Sequence, residues 1–321
     1  MLEYLLLTLI GCLAGSFTGL TPGIHPNTVI FSSIPVYLSF EIKLPFYISF
    51  IAGMVVSHSF HNFLPSIALG VPDAEAALAA LPGARMAVNG RGHEAFLLTL
   101  EGGVKSIAVL LILSPVLFLG LEALYGYMES VMFYIILFVI FFIVIYSEQV
   151  FSSTILVALT GFLGLAAFSS PVNQSYVLLP VFSGLFAMPS IIRGLKMDFE
   201  IPEQNKAELP LKAGKGALTG GLAGLMAGTL PGLGGATSTS FLSPMIESDR
   251  QFIASMGAVN TSDALISFLS LYLIESARSG PAVAISYLST TNFPDILFAV
   301  GVSLFAVPLS VYLAYKISPI F

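Results

Sequence analysis

Charge is scarce in this sequence. Asp, Glu, Lys and Arg together make up 9% of it, against roughly 25% in a soluble domain. Twelve basic residues face eighteen acidic ones, a formal net charge of −6, and no basic run is available to neutralise nucleic-acid phosphates. Cysteine occurs once, as Cys12 in an apolar stretch, so there is no disulfide framework. Histidine occurs four times, at His25, His58, His61 and His93. These include one i,i+3 pair but no Glu-containing zinc motif. No Gly-x-Ser-x-Gly elbow and no Gly-Lys-Ser/Thr phosphate loop occur. The residues thus give no reason to expect an enzyme, a metal or a bound cofactor.

What fills the chain instead is apolar. Hydrophobic residues make up 56% of it, and the stretch from Val131 to Tyr146 carries no charge at all. A helix needs about 20 apolar residues to cross the hydrocarbon core. The length and the recurrence of such runs predict an all-α polytopic protein of the cell membrane with about eight to ten passages, some partial. The first segment, Met1 to Leu20, has Glu3 where a signal peptide has a basic region, and runs directly into a motif. It reads as a retained membrane helix.

The sequence repeats itself. GCLAGSFTGLTPGIHPNTVIFSSIP from Gly11 and GGLAGLMAGTLPGLGGATSTSFLSP from Gly220 share nine of twenty-five positions at one fixed offset. The identities are mostly Gly and Pro, which carry backbone meaning. Gly11, Gly15 and Gly19, like Gly220, Gly224 and Gly228, form a four-residue ladder on one helical face and predict close helix packing. Each ladder is followed by a Pro-Gly break, Pro22-Gly23 and Pro231-Gly232.

Hydropathy and breakers place helices near 2–20, 26–39 and 46–63, and spans near 104–121, 131–146, 153–168 and 177–192. A hydrophilic linker over 193–215 separates residues 1–192, the first repeat with central spans, from the second repeat, 216–321. Further spans are expected near 217–230, 253–274 and 296–315. The linker holds Arg193, Lys196, Lys206, Lys212 and Lys215, five of the twelve basic residues, and is expected in the cytoplasm. The repeats then enter from opposite sides, an inverted-topology pair with broken, re-entrant helices. Arg85 and Arg91 in another polar stretch complicate that count.

Non-helical backbone at membrane depth is tolerated only inside protein or beside a water-filled cavity. A half-helix N-terminus beyond the break carries partial positive charge and favours an anion. Paired broken helices of this kind point to a transporter's midplane site. The candidate substrate residues are Pro22, Gly23, His25, Asn27 and Thr28 in the first motif. In the second they are Pro231, Gly232, Gly234, Gly235, Thr237 and Ser238, joined by Asn260 on a later helix. The bland alternative is a pair of structural hairpins without a ligand. His58, His61 and Asp263 are candidates for proton or cation coupling, against the alternative that the histidines meet interfacial water. Glu275 and Arg278 lie at helical spacing, and Arg278 suits either an ion pair or a snorkelled surface position. The sequons at Asn173 and Asn260 read as chance matches.

The Gly-ladder and Pro-Gly pattern in both halves resembles the TctA family, the large membrane subunit of tripartite tricarboxylate transporters. Two further stretches agree: SHSFHNFLPSIALGVPDAEAALAALPGARMAVNGRG from Ser57 to Gly92, and Gly257 to Asp263 followed by Ser279-Gly280-Pro281. The first motif departs from the second in having His25 and Pro26 where the second has Gly234 and Gly235. The resemblance implies secondary active transport of a small organic anion, a di- or tricarboxylate, by alternating access with Na⁺ or H⁺ coupling. It also implies a small membrane subunit and an external solute-binding protein as partners beside the lipid bilayer, and leaves a homodimer open. PGLGGATS additionally resembles the Pro-Gly motif of polyprenyl-phosphate translocases, so movement of a lipid phosphate is the alternative function.

Overall fold

The computed structural model describes residues 2–70, 77–172, 177, 181, 184–185, 188, 192, 202–230, 233–274, 277, 279–288 and 292–320. The expected span over 177–192 and the Asn173 sequon lie largely outside them, as do Pro231, Gly232, Glu275 and Arg278. Among the described residues the regular structure is helical throughout. Helix α1 covers Leu2–Leu20, α2 Pro26–Ser39, α3 Leu44–His61, α4 Phe63–Leu69 and α5 Ala77–Val88. Helix α6 covers Gly92–Ile145 and α7 Val150–Phe168, followed by α8 over Gly214–Thr229 and α9 over Gly235–Leu242. The chain ends with α10 over Asp249–Leu273, α11 over Gly280–Leu288 and α12 over Phe293–Ile317. The segments 2–20, 92–120, 150–168, 249–273 and 293–317 are long and apolar enough to cross a membrane.

Where described, the ends expected for the helices near 2–20, 26–39, 46–63, 153–168, 217–230, 253–274 and 296–315 hold to within a few residues. The two segments expected near 104–121 and 131–146 appear as apolar helical stretches over 92–120 and 130–145, the first beginning earlier than expected, and α6 runs through both without interruption. Between them stand Glu122 and Glu129, which suit a helix, and a single Gly126, which costs about 1 kcal/mol and does not end it. The chain falls into two compact units, residues 1–132 with 201–321, and residues 133–200. In the smaller unit α7 carries no buried residue, and Phe151, Leu156, Phe162 and Leu165 are among its exposed apolar side chains.

In the larger unit both glycine ladders become seams. A Cβ on Gly11 would overlap the Phe50 carbonyl, and one on Gly15 the Met54 carbonyl. One on Gly19 would press on His61 Cβ at 2.7 Å. Rising numbers in α1 therefore meet rising numbers in α3, so the two helices run parallel, and α2 must carry the chain back between them. The second half repeats the arrangement. A Cβ on Gly220 would overlap the Ser255 carbonyl, and Gly224 and Gly228 face Ser262 and Ile266 of α10. The correspondence is residue by residue: Gly15 meets Met54, Ser57 and His58, and Gly224 meets Val259, Ser262 and Asp263. The ladders are 209 positions apart (Gly15 and Gly224), while their partners are 205 apart (Ser57 and Ser262). The second repeat is thus four residues shorter in its return segment.

A group of ion pairs collects at one edge of this unit. Arg85 pairs with Asp249 at 3.2 Å, and Glu94 is held between Arg91 and Arg250. Lys215 pairs with Glu247, holding its carboxyl below the usual range. The described part of the linker is strapped to the same edge. Gly92 N donates to Gln204 Oε1 (2.6 Å), Asn205 N to the Gly90 carbonyl (2.8 Å) and Ala207 N to His93 Nδ1 (3.0 Å). Buried Glu101 accepts from Leu211 N and Ala213 N, satisfying backbone donors where α8 begins. Arg85 and Arg91 therefore share an edge with the linker rather than opposing it. His93 Nε2 also meets Ser318 at the end of α12 (3.1 Å). Helix α12 accompanies α1 in the same direction, with Phe298 against Tyr4 (5.4 Å) and Ser310 against Cys12 (3.6 Å).

Candidate functional site

The first break is built from local rules. Helix α1 ends at Leu20, and Gly23 turns the chain at φ +91°, a conformation that L side chains rarely adopt. His25 is the N-cap of α2, with Pro26 in the first turn. Its Nδ1 accepts from Asn27 N (3.2 Å), and its carbonyl accepts from Thr28 N (3.0 Å). These leading N–H groups, expected to be open to an anion, are thus used within the chain, although the partial positive charge of the helix start remains. At the second break Gly234 is the N-cap of α9 and makes no side-chain cap bond, because glycine has no side chain to offer. The Pro231-Gly232 turn itself lies outside the described residues.

Behind the first break lies a cavity of about 40 Å³. It is lined by Thr18, Thr21, Pro22, Gly23, His58 and Asn62 among others, all from α1, the break and the α3–α4 corner. Thr18 Oγ1 lies 3.0 Å from His58 Nδ1, and the His25 and His58 rings are 5.6 Å apart. One turn on, His61 is fully buried, and its Nδ1 donates to the Ser57 carbonyl (2.7 Å). His61 Nε2 is buried and has no hydrogen-bond partner among the described residues. The histidines at the end of α3 therefore lie inside the protein, not in interfacial water.

The remaining candidates are distributed. Asn260 is 8% exposed, and its Nδ2 donates to the Ser59 carbonyl (3.1 Å) and to Asn62 Oδ1 (3.2 Å). It thereby joins α10 to the cavity wall. Asn27 packs against Gly280 at the start of α11, and Thr28 is exposed on α2. Gly235 lies against Val259, Thr237 is half-buried, and Ser238 is buried with its hydroxyl unpartnered among the described residues. Asp263 sits beside Gly228 with Ser267 Oγ at 3.5 Å from its Oδ1, on the second seam rather than in the first-half cavity. Thr18 and Thr21 were missed as site residues. The available signal was helical spacing: Thr18 falls three residues after Gly15 on a helix whose ladder face was already identified.

A cavity of this size holds water or a small ion, whereas ligand sites run to about 300–1,000 Å³. Among the described residues its polar lining consists of hydroxyl, amide and imidazole groups, a set that can donate to an anion. Among the described residues no group of three or more His, Cys, Asp or Glu is placed to hold a metal.

Residues 5–318 match the Tripartite tricarboxylate transporter TctA family. The chain is 33% identical over 308 residues to an uncharacterised protein of Methanocaldococcus jannaschii, covering 93% of this chain and 77% of that protein. No solved structure matches it. The family is one of membrane components that work with a substrate-binding protein and other membrane subunits. The chain belongs to the TctA family of tripartite tricarboxylate transporters.

Proposed function

We propose that the protein is the permease of a secondary transport system for a small organic anion, a di- or tricarboxylate. The observation that carries this reading is the polar cavity at the first break, with Thr18, Thr21, His58 and Asn62 around it. Asn260 lies eleven residues along α10 from Asp249 at the polar edge, about 16 Å of helix. That depth suits a midplane site.

The two halves form an inverted pair in this reading. Helix α8 sets out from the polar edge, while α1 runs alongside α12, whose end is bonded to that edge through Ser318 and His93. The basic residues gathered there favour the cytoplasmic side of the plasma membrane. Counting the broken segments brings the passages to eight to ten. The cavity is too small for a tricarboxylate, so loading requires the first break to open and the halves to alternate in access. His58, His61 and Asp263 are the groups through which a proton or Na⁺ is coupled. The second motif, with Gly234 capping α9 without a side-chain bond, supplies an N-terminus for the substrate's other end.

Uptake by proteoliposomes tests this, using labelled citrate and succinate and a labelled lipid phosphate, with and without the partner subunits. Carboxylate uptake that falls at least about tenfold in His58→Ala supports the proposal. Lipid-phosphate movement without carboxylate uptake contradicts it.

A further inference from the structure

We propose that Gly280 is a positioning residue: it seats the Asn27 side chain and so latches α2 over the first-break cavity until substrate loads. A Cβ on Gly280 would overlap the Asn27 carboxamide, so only glycine leaves this seat open. The seat stands at the first residue of α11, and Ala282 N donates to Ser279 Oγ (3.4 Å) beside it, which fixes that turn. Asn27 lies in the first turn of α2, four residues past Gly23. Pro22, Gly23 and Ile24 line the cavity, so the segment that closes it leads directly into the latched turn. Gly23 is the hinge this needs: it stands at φ +91°, and a Cβ there would meet nothing within 4 Å.

The contacts at the start of α2 differ in which half they join. The His25 ring lies 5.6 Å from that of His58, and the Tyr47 hydroxyl donates to the Ile30 carbonyl (2.9 Å). Both tie α2 to α3, in its own half. Asn27 on Gly280 ties it instead to α11, in the second half. Among the described residues the Asn27 carboxamide makes no hydrogen bond, so shape alone holds it in the seat. As the halves part, α2 stays with α3 through a buried hydrogen bond and leaves α11, where no such bond has to break. At the ladder offset Asn27 corresponds to Ala236, whose methyl offers no carboxamide to seat. The latch is one more respect in which the two breaks differ.

The inference rests on the first break being the substrate's way in, as proposed above. Asn27 Cγ is one bond from its Cβ, so cysteines at both positions place their Cβ atoms within about 4 Å, inside the span of a disulfide. In proteoliposomes of the assembled system, oxidising the Asn27→Cys/Gly280→Cys pair should cut citrate uptake at least about tenfold, and reduction should restore it. A second measurement needs no uptake: thiol labelling of Thr21→Cys in the cavity wall, with Cys12 buried. Gly280→Ala, which fills the seat, should speed that labelling at least about threefold, and Asn27→Ala, which empties it, by a similar factor. The double variant should go no further, since both changes undo one contact. A merely structural contact would lower the melting temperature of the variants and leave the labelling rate alone. If the pair is inactive when reduced, the labelling rates decide. Cross-linked protein that transports at the reduced protein's rate, unchanged labelling in both single variants, or additive labelling in the double variant overturns the inference and leaves the transport reading standing. Absence of citrate and succinate uptake by the unmodified, fully assembled system overturns the transport reading, and this inference with it.

Discussion

His58 and Asp263 occupy the same place in their halves, each meeting the ladder helix where a glycine leaves room. Their surroundings differ. In the first seam Ser16 meets Ser57 at 3.0 Å and Thr18 meets His58. Counted at the ladder offset, the second half has Leu225 for Ser16 and Ala227 for Thr18. Ser262, the counterpart of Ser57, is accordingly left buried with its hydroxyl unpartnered among the described residues. The glycines are where the seams are least tolerant. Alanine at Gly15 or Gly224 should cost about 1–3 kcal/mol, the usual penalty of overpacking, read as a lower melting temperature in detergent. Alanine at Gly120, whose Cβ would meet open space, should be neutral or stabilising by up to about 1 kcal/mol. The ladder glycines were legible because backbone contact demands an invariant residue type in both copies. The Asn62–Asn260 bond was not, because its partners stand 198 positions apart and neither is a repeat position of the other.

At the scale of elements, the breaks and the linker strap set where helices begin and end. The α1–α2 break was readable to the residue, since Pro, Gly and a capping His punctuate it. Placing a side chain on Gly23, in left-handed backbone, should cost about 1–2 kcal/mol, and Gly23→Ala should weaken carboxylate uptake together with stability. The extension of the repeat into α3 and α10 was hidden by the four-residue difference in the return segment. Few identities survive the shift: Ile48/Ile253, Ser57/Ser262, Phe63/Phe268 and Leu64/Leu269 are among them. The strap was also invisible, because it joins backbone donors of a linker to Glu101 on a distant apolar helix. Glu101→Ala leaves the Leu211 and Ala213 N–H groups without their acceptor. It should destabilise the protein by about 1–3 kcal/mol, measurable as a lower melting temperature.

At the scale of the whole molecule, the larger unit repeats one seam of parallel helices, α1 on α3 and α8 on α10, with a cavity at the first break. Hydropathy and repetition revealed the seams and the breaks. The differing motifs, His25-Pro26 against Gly234-Gly235, pointed to an unequal pair, but not to which side chains of α3, α4 and α10 meet beneath the first break. Cys12, the sole cysteine, is fully buried and gives a quiet background for labelling. Cysteines placed at Glu3 and at Glu247 should react with an impermeant thiol reagent from opposite sides of the membrane. The central claim, that a carboxylate binds at the first break, is tested most directly by a cysteine at Thr21, which lines the cavity. If the claim holds, a transported carboxylate slows thiol labelling of Thr21→Cys in a dose-dependent way and leaves Glu247→Cys untouched. Labelling of Thr21→Cys that proceeds at the same rate with and without a carboxylate the protein demonstrably transports would contradict it.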